Sequence, residues 1–504
     1  MSAVAAWAGR APRPGFNDVS AGVTVALVLV PQSIAYAQLA GTPPGAGLVA
    51  ATTAAFVGAA TTTSLYLQAG PTALSSLLTF AVVADAATAT EALHRAMLLA
   101  ILIGVIRAAL AGVRAGALSY LASEPILTGV LPGAAIVIVA SQVPALVGIE
   151  SSSDGVFGAA GDAVASPGAW SVSATVAGAL ALGAFATQRA LPRLPVAALA
   201  VAVFVVVERA TAFGGPTVGA VDTPVVPPLG SLPWHSLGTL LAPAFVIAVV
   251  GFIEPTIVGR TLGTSESGRW NADRELLSSG LVNIAAGAAG GFPVGASLSR
   301  SALNRALGAR SRWSSAVTAA TIAVFLPFAE VLAPLPRSVP AALVVVSVIG
   351  LADPRPFVEL LRSSRIQTGV AACGLVLTIV LTPRLDIAVG AAVALAIGVH
   401  LWLETRVPLA IAREGERLVL RPAGVLWFAS AYRFEEAARS AIDEHSGREL
   451  VIRLDALGRI DVTGARAILR CVERAKDAGM TVRVEGVPAP AVRLMRRLLP
   501  DATE

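Results

Sequence analysis

The run Gly290-Gly291-Phe292-Pro293-Val294-Gly295-Ala296-Ser297-Leu298-Ser299-Arg300 has a counterpart far upstream, Leu67-Gln68-Ala69-Gly70-Pro71-Thr72-Ala73-Leu74-Ser75. Each is an extended, Gly/Pro-rich approach to a short apolar helix, expected over 70–84 and 295–308. Neither helix can cross a bilayer alone, because a spanning helix needs about 20 mainly apolar residues. A helix that starts near mid-membrane leaves its first backbone N–H groups without intrahelical partners, and hydrocarbon supplies none. Two such starts facing each other make a region of partial positive charge suited to an anion. Gly and Pro also kink membrane helices merely for packing. A single interruption reads that way; a matched pair reads as a site.

Working outward from this pair, the apolar runs predict helices at 18–39, 45–61, 70–84, 92–112, 117–140, 169–188, 194–212, 238–258, 274–290, 295–308, 312–331, 337–351, 366–382 and 385–404. The first contains Val30-Pro31-Gln32-Ser33 and the eighth Ile253-Glu254-Pro255-Thr256, a proline beside a polar residue in mid-span both times. Interruptions therefore match between spans 1 and 8 and between spans 3 and 10. That pattern predicts fourteen spans as two seven-helix repeats, inverted because seven is odd.

Composition agrees. The 504 residues are 55% hydrophobic and 14% charged, with a mean hydropathy of +0.74, whereas soluble domains carry about a quarter charged residues. Of 37 Lys/Arg and 32 Asp/Glu, 16 and 14 respectively follow residue 406. The expectation is a membrane domain over 1–406 and a soluble domain over 407–504. Arg107, Arg114, Arg189, Arg193, Arg260, Arg269, Arg274, Arg305, Arg310, Arg312, Arg355, Arg362 and Arg365 all fall in loops on one side, while the long loop 141–168 carries Glu150, Asp154 and Asp162 and no base. That asymmetry places both termini in the cytoplasm, and the first apolar run, preceded by Arg10 and Arg13, reads as a retained helix. The net charge of +5 is spread over short loops, a lipid and solvent pattern rather than a nucleic-acid one. Cys373 and Cys471 form no metal spacing, and neither a catalytic triad nor a phosphate loop is present, so neither an enzyme nor a cofactor is expected.

The residues near the helix breaks carry the chemistry. A carboxylate in mid-span costs several kcal/mol unless protonated, paired or bound to a cation, which makes Glu254 a candidate ion-coupling group or the partner of Arg300. Arg300 either adds a full charge to the helix-start field or reaches the interface by snorkelling. Ser297 and Ser299 offer hydroxyls or close packing. Gln32 and Tyr36 share a helix face and form one wall of a pocket, while Thr72 and Ala73 offer mainly backbone. His94 and Arg95 are expected at headgroups, and Asp85 and Glu91 in solvent. In the tail, strands at 417–421, 424–428, 450–454 and 481–484 alternate with helices at 431–445, 463–477 and 489–499. Residues 455–461 read as a loop whose Asp461 caps the next helix. The result is a small α/β domain.

Pro31-Gln32-Ser33-Ile34-Ala35-Tyr36 with Leu39-Ala40-Gly41-Thr42-Pro43-Pro44, Gly70-Pro71, Phe252-Ile253-Glu254, Asn283 through Asn304 and Ile460-Asp461-Val462-Thr463-Gly464 together resemble the SulP anion transporters, with a STAS domain as the tail. The resemblance implies core and gate domains, an anion held between spans 3 and 10, elevator-like movement, a homodimer and a bacterial inner membrane. By position it implies that Gln32, Tyr36, Thr72, Ala73, Leu298, Ser299 and Arg300 bind substrate and that Glu254 couples a cation. Thr72 stands where many members have an aromatic residue, and Val462 departs from the paired serines of phosphorylated STAS proteins. The expected function is proton-coupled symport of a small anion, of the dicarboxylate, bicarbonate or sulfate class. Sodium-coupled bicarbonate or sulfate symport and anion exchange are the alternatives. A nucleobase carrier, an anion channel and a STAS-linked scaffold are weaker ones.

Overall fold

Pro31 does not break the first span. Helix α1 (Phe16–Leu39) runs through it, with Ser33 Oγ donating to the Val30 carbonyl at 2.8 Å. The structure is a computed structural model that describes residues 14–498 except 121–123, 151–152, 154, 189–194, 212–214, 224–225, 263–269 and 446. Arg10, Arg13, Asp154, Arg189, Arg193 and Arg269 lie outside the described residues. The chain divides into two units between residues 394 and 395, a boundary that falls inside the last helix that begins in the first unit.

In the first unit α1 is followed by α2 (Pro44–Thr61), β1 (Ala69–Gly70), α3 (Ala73–Val83), α4 (Ala89–Gly112), α5 (Glu124–Val147), α6 (Val156–Ala165), α7 (Val172–Thr187), α8 (Val196–Thr211), α9 (Leu237–Val250), α10 (Ile253–Leu262), α11 (Ala272–Ala288), β2 (Gly295–Ala296), α12 (Leu298–Ala306), α13 (Trp313–Phe325), α14 (Ser338–Val348), α15 (Arg355–Ser363), α16 (Arg365–Val380) and α17 (Leu385–Glu404). Eight of the described helical segments are long and apolar enough to cross a bilayer. The chain is a polytopic helical membrane protein with half-helices at the third and tenth positions.

Four elements depart from expectation. The fifth helix starts at Glu124 rather than 117, because Arg114 takes a positive φ of 58° and residues Ala115–Tyr120 tighten into a 3₁₀ turn. The eighth span is two helices, α9 and α10, broken at Gly251-Phe252. Short α6 and α15 interrupt segments expected to be loops. Arg107, expected in a loop, sits inside α4 and is buried.

Helices α4 and α11 pack at backbone contact. A Cβ at Gly104 would lie 2.5 Å from the Gly280 carbonyl, and one at Gly280 2.8 Å from the Gly104 carbonyl, so only glycine permits the approach. Two buried carboxylates lock neighbouring helix ends. Asp18 accepts from Arg310 N (2.8 Å), Ser311 N (3.0 Å) and Ser311 Oγ (2.8 Å). Glu275 accepts from Thr62 Oγ1 (2.9 Å), Thr63 N (2.9 Å) and Thr63 Oγ1 (2.6 Å). The charges are satisfied by several donors each, as burial demands. Arg95, expected at headgroups, pairs with Asp85 at 2.7 Å and Glu91 at 2.6 Å.

The second unit has a four-stranded sheet ordered β3 (Leu409–Glu414), β4 (Arg417–Pro422), β6 (Glu449–Arg453), β8 (Thr481–Glu485), and a parallel pair of β5 (Gly424–Leu426) with β7 (Leu457–Ile460). Strand β7 replaces the expected loop over 455–461, and β3 is added, pairing antiparallel with β4. Helices α18 (Phe428–Asp443), α19 (Val462–Asp477) and α20 (Val492–Leu498) cover the apolar face, where Leu418, Leu420, Phe434, Ile452 and Ile468 meet. Asp461 caps α19 as expected, accepting from Gly464 N at 2.7 Å. Burial pushes the Cys471 thiol up to about 12, so it stays protonated and unreactive near neutrality.

Candidate functional site

Strands β1 and β2 pair antiparallel, Ala69 with Ala296 and Gly70 with Gly295, joining the two quoted sequences at the centre of the first unit. The antiparallel sense is what an inverted repeat requires. Directly after the strands, α3 and α12 begin. Thr72 Oγ1 caps α3 by accepting from Ser75 N at 3.3 Å, and Ser297 Oγ caps α12 by accepting from Arg300 N at 3.3 Å. Asn283 on α11 holds the approach to β2, its Nδ2 donating to Val294 O and its Oδ1 accepting from Val294 N, both at 3.0 Å. Ser301 Oγ fixes the other approach by accepting from Gln68 N at 3.0 Å. Each helix start carries roughly half a positive charge.

Arg300 is 2% exposed and does not snorkel. Its Nη2 donates to the Pro71 carbonyl at 2.9 Å and its Nη1 to Gln32 Oε1 at 3.2 Å, while Nε has no hydrogen-bond partner among the described residues. The guanidinium thus spans α12, the start of α3 and α1. Glu254 does not pair with it; instead Glu254 Oε2 accepts from Thr72 Oγ1 at 3.0 Å. Gly295 makes room for that carboxylate, since a Cβ there would lie 2.5 Å from Glu254 Oε2 and 3.2 Å from Thr72 Oγ1.

A cavity of about 330 Å³ opens beside Arg300, lined among others by Val28, Gln32, Phe185, Ser299 and Ser347. It follows one face of α12 past Leu303 and Ala306 to Gln188 and Ala197 at the ends of α7 and α8. Of the residues singled out from sequence, Gln32, Ser299 and Arg300 line it. Thr72 and Ala73 are buried at the α3 start, and Tyr36 is buried within reach of Ser347 and Arg300. Leu298 is on the α12 start, 46% exposed.

Two further residues have a place here that the sequence reading did not give them: Ser347 was not singled out, and Arg107 was expected in a loop. Ser347 accepts from Gln32 Nε2 at 3.5 Å; its signal was a lone hydroxyl in the apolar run of α14. Arg107 donates through Nε to Ala248 O (2.9 Å), through Nη2 to Ile247 O (3.2 Å) and through Nη1 to Ser279 Oγ (2.8 Å). Its signal was an arginine five residues before the end of a long apolar run.

Residues 16–374 match the sulfate permease family and residues 409–499 a STAS domain described as Mlab, STAS domain. A probable sulfate transporter of Mycobacterium tuberculosis is 34% identical over 367 residues, 70% of this chain and 65% of that protein's length. The chain is 26% identical to the sodium-independent sulfate anion transporter of Bos taurus over 95% of this chain and 85% of that one. The fold is that of murine solute carrier 26 family member A9, an anion transporter in its inward-facing state, with a TM-score of 0.86 and 18% identity over 98% of this chain and 89% of that one. The chain belongs to the sulfate permease family.

Proposed function

We propose that this permease-family chain carries a small anion, of the sulfate class, across a bacterial inner membrane by proton-coupled secondary transport. The observation that carries the reading is Arg300: a guanidinium buried between two helix N-termini, in a residue that lines a cavity. Such a charge is costly to hold in the membrane without a counter-ion, and the helix starts supply further N–H donors. The anion docks between α3 and α12, against Gln32, Tyr36, Thr72, Ala73, Leu298, Ser299 and Arg300, with Ser347 closing the gate side. The sulfate class rests on the names of the relatives in Mycobacterium tuberculosis and Bos taurus.

Glu254 carries the proton. Thr72 links it to the anion, since one hydroxyl both caps α3 and donates to Glu254 Oε2. Protonation removes the charge on that acceptor and weakens the bond, so the α3 start and the coupling site sense each other. Alternating access follows an elevator-like displacement of α1, α3, α10 and α12 against α7, α8 and α14, with the cavity of about 330 Å³ as the cytoplasmic opening. Residues 1–406 form the transport domain and 407–504 the cytoplasmic STAS domain, and the protein works as a homodimer.

Radiolabelled sulfate uptake into proteoliposomes tests this reading. An inward proton gradient should raise the initial rate several-fold, and replacing Na⁺ with choline at fixed pH should leave it unchanged. Uptake that needs Na⁺ and ignores the gradient contradicts proton coupling. Gly295→Ala, whose methyl would press on Glu254 and Thr72, should lower uptake at least tenfold while the protein elutes normally on size exclusion.

A further inference from the structure

Arg107 is the feature that the anion site leaves unexplained. It lies in α4, is 1% exposed, and all three of its donating nitrogens are engaged. Its Nε reaches the Ala248 carbonyl at the end of α9, and its Nη2 adds a second bond to the Ile247 carbonyl, which already accepts from Gly251 N at 2.9 Å, next to the break at Gly251-Phe252. Helix ends buried in a membrane leave carbonyls that need a donor. A neutral donor would serve that purpose without the cost of a buried charge. Gly251 admits the guanidinium, since a Cβ there would lie 2.7 Å from Arg107 Nη2. Glu254 follows three residues later, within electrostatic reach of both Arg107 and Arg300. The groups that face Glu254 are thus Arg107 from α4, Arg300 from α12, Tyr36 from α1 and Thr72 from the α3 start.

We propose that Arg107 is a positioning and specificity residue that sets the valence of the transported anion. It holds the break that presents Glu254 and adds a second fixed positive charge within reach of that carboxylate, which lies against Gly295 of β2. The inference rests on the anion-transport reading above. With Glu254 protonated, Arg107 and Arg300 leave two positive charges, which a divalent oxyanion neutralises. With Glu254 ionised only one remains, which suits a monovalent anion. Moving a neutral loaded region through the bilayer is far cheaper than moving a charged one. Divalent anion and proton therefore travel together: the proton enters from the outer solution onto the Glu254 carboxylate and leaves it inside.

The test compares sulfate with nitrate in the full-length protein and in Arg107→Gln, Arg107→Lys and Gly251→Ala. One readout is competition by either unlabelled anion against labelled sulfate uptake. The other is the thermal shift that each anion gives in detergent, which needs no transport. The unaltered protein should prefer sulfate, Arg107→Gln should lose at least tenfold of the sulfate-to-nitrate ratio, and Arg107→Lys should keep it within about threefold. Gly251→Ala, which crowds the guanidinium while retaining its charge, should lose part of the ratio and stands in if Arg107→Gln does not fold. An unchanged ratio in Arg107→Gln, or in Gly251→Ala in its place, or a preference for nitrate in the unaltered protein, overturns the proposal. Sulfate binding without uptake in the unaltered protein would instead count against the transport reading.

Discussion

Arg300→Ala should reduce sulfate uptake by two to three orders of magnitude while the protein remains folded. Among the described residues, Arg300 carries the one full positive charge that lines the cavity of about 330 Å³. Losing one partner of a buried, hydrogen-bonded charge pair costs about 3–5 kcal/mol, and each 1.4 kcal/mol is tenfold in affinity. The same residue also bonds the Pro71 carbonyl and Gln32, so the substitution frees an acceptor at the α3 start. Arg300→Lys separates the two roles. A lysine restores the charge but not the fork that reaches both Pro71 and Gln32, so it should recover part of the affinity and little of the rate. Uptake and sulfate-induced thermal shift, measured together, check this. An Arg300→Ala protein with normal saturation would remove Arg300 from the binding site.

Glu254→Gln should uncouple uptake from the proton gradient. Glutamine keeps the shape and still accepts from Thr72 Oγ1, whose bond to Glu254 is 3.0 Å, so the α3 cap is retained. What is lost is the site for the proton. The stimulation by an inward gradient should fall from several-fold to none, with sulfate still bound and the rate flat across pH. A variant that keeps its gradient response would place the proton elsewhere.

The membrane-helix order was legible because apolar runs of spanning length are a strong signal, and the paired Gly/Pro interruptions located both half-helices from sequence. Legibility failed where a local detail outweighed hydropathy. The interruption read at Ile253-Glu254-Pro255-Thr256 kept the eighth span as one helix, whereas the chain breaks fully just before it, at Gly251-Phe252. Arg107 itself was assigned to a loop because charge near the end of a run is usually solvated; its three acceptors come from residues 247, 248 and 279, far away in sequence. Arg300 had two readings from sequence, and only the position of the Pro71 carbonyl separates them. Ser347 and Gln32 meet across spans 315 positions apart, a contact that helical periodicity does not predict. In the tail, β7 was missed because Leu457-Gly-Arg-Ile460 is short and contains glycine, and its partner β5 is only three residues long.

The central claim is that the paired helix starts and Arg300 form the site at which an anion is bound and carried. Saturable uptake of radiolabelled sulfate by purified protein in liposomes, run beside Arg300→Ala, tests it most directly. The expected result is saturation in the unaltered protein, competition by other divalent oxyanions, and uptake at the empty-liposome level in the variant. Equal uptake by the two proteins, or none above empty liposomes in the unaltered one, would contradict it.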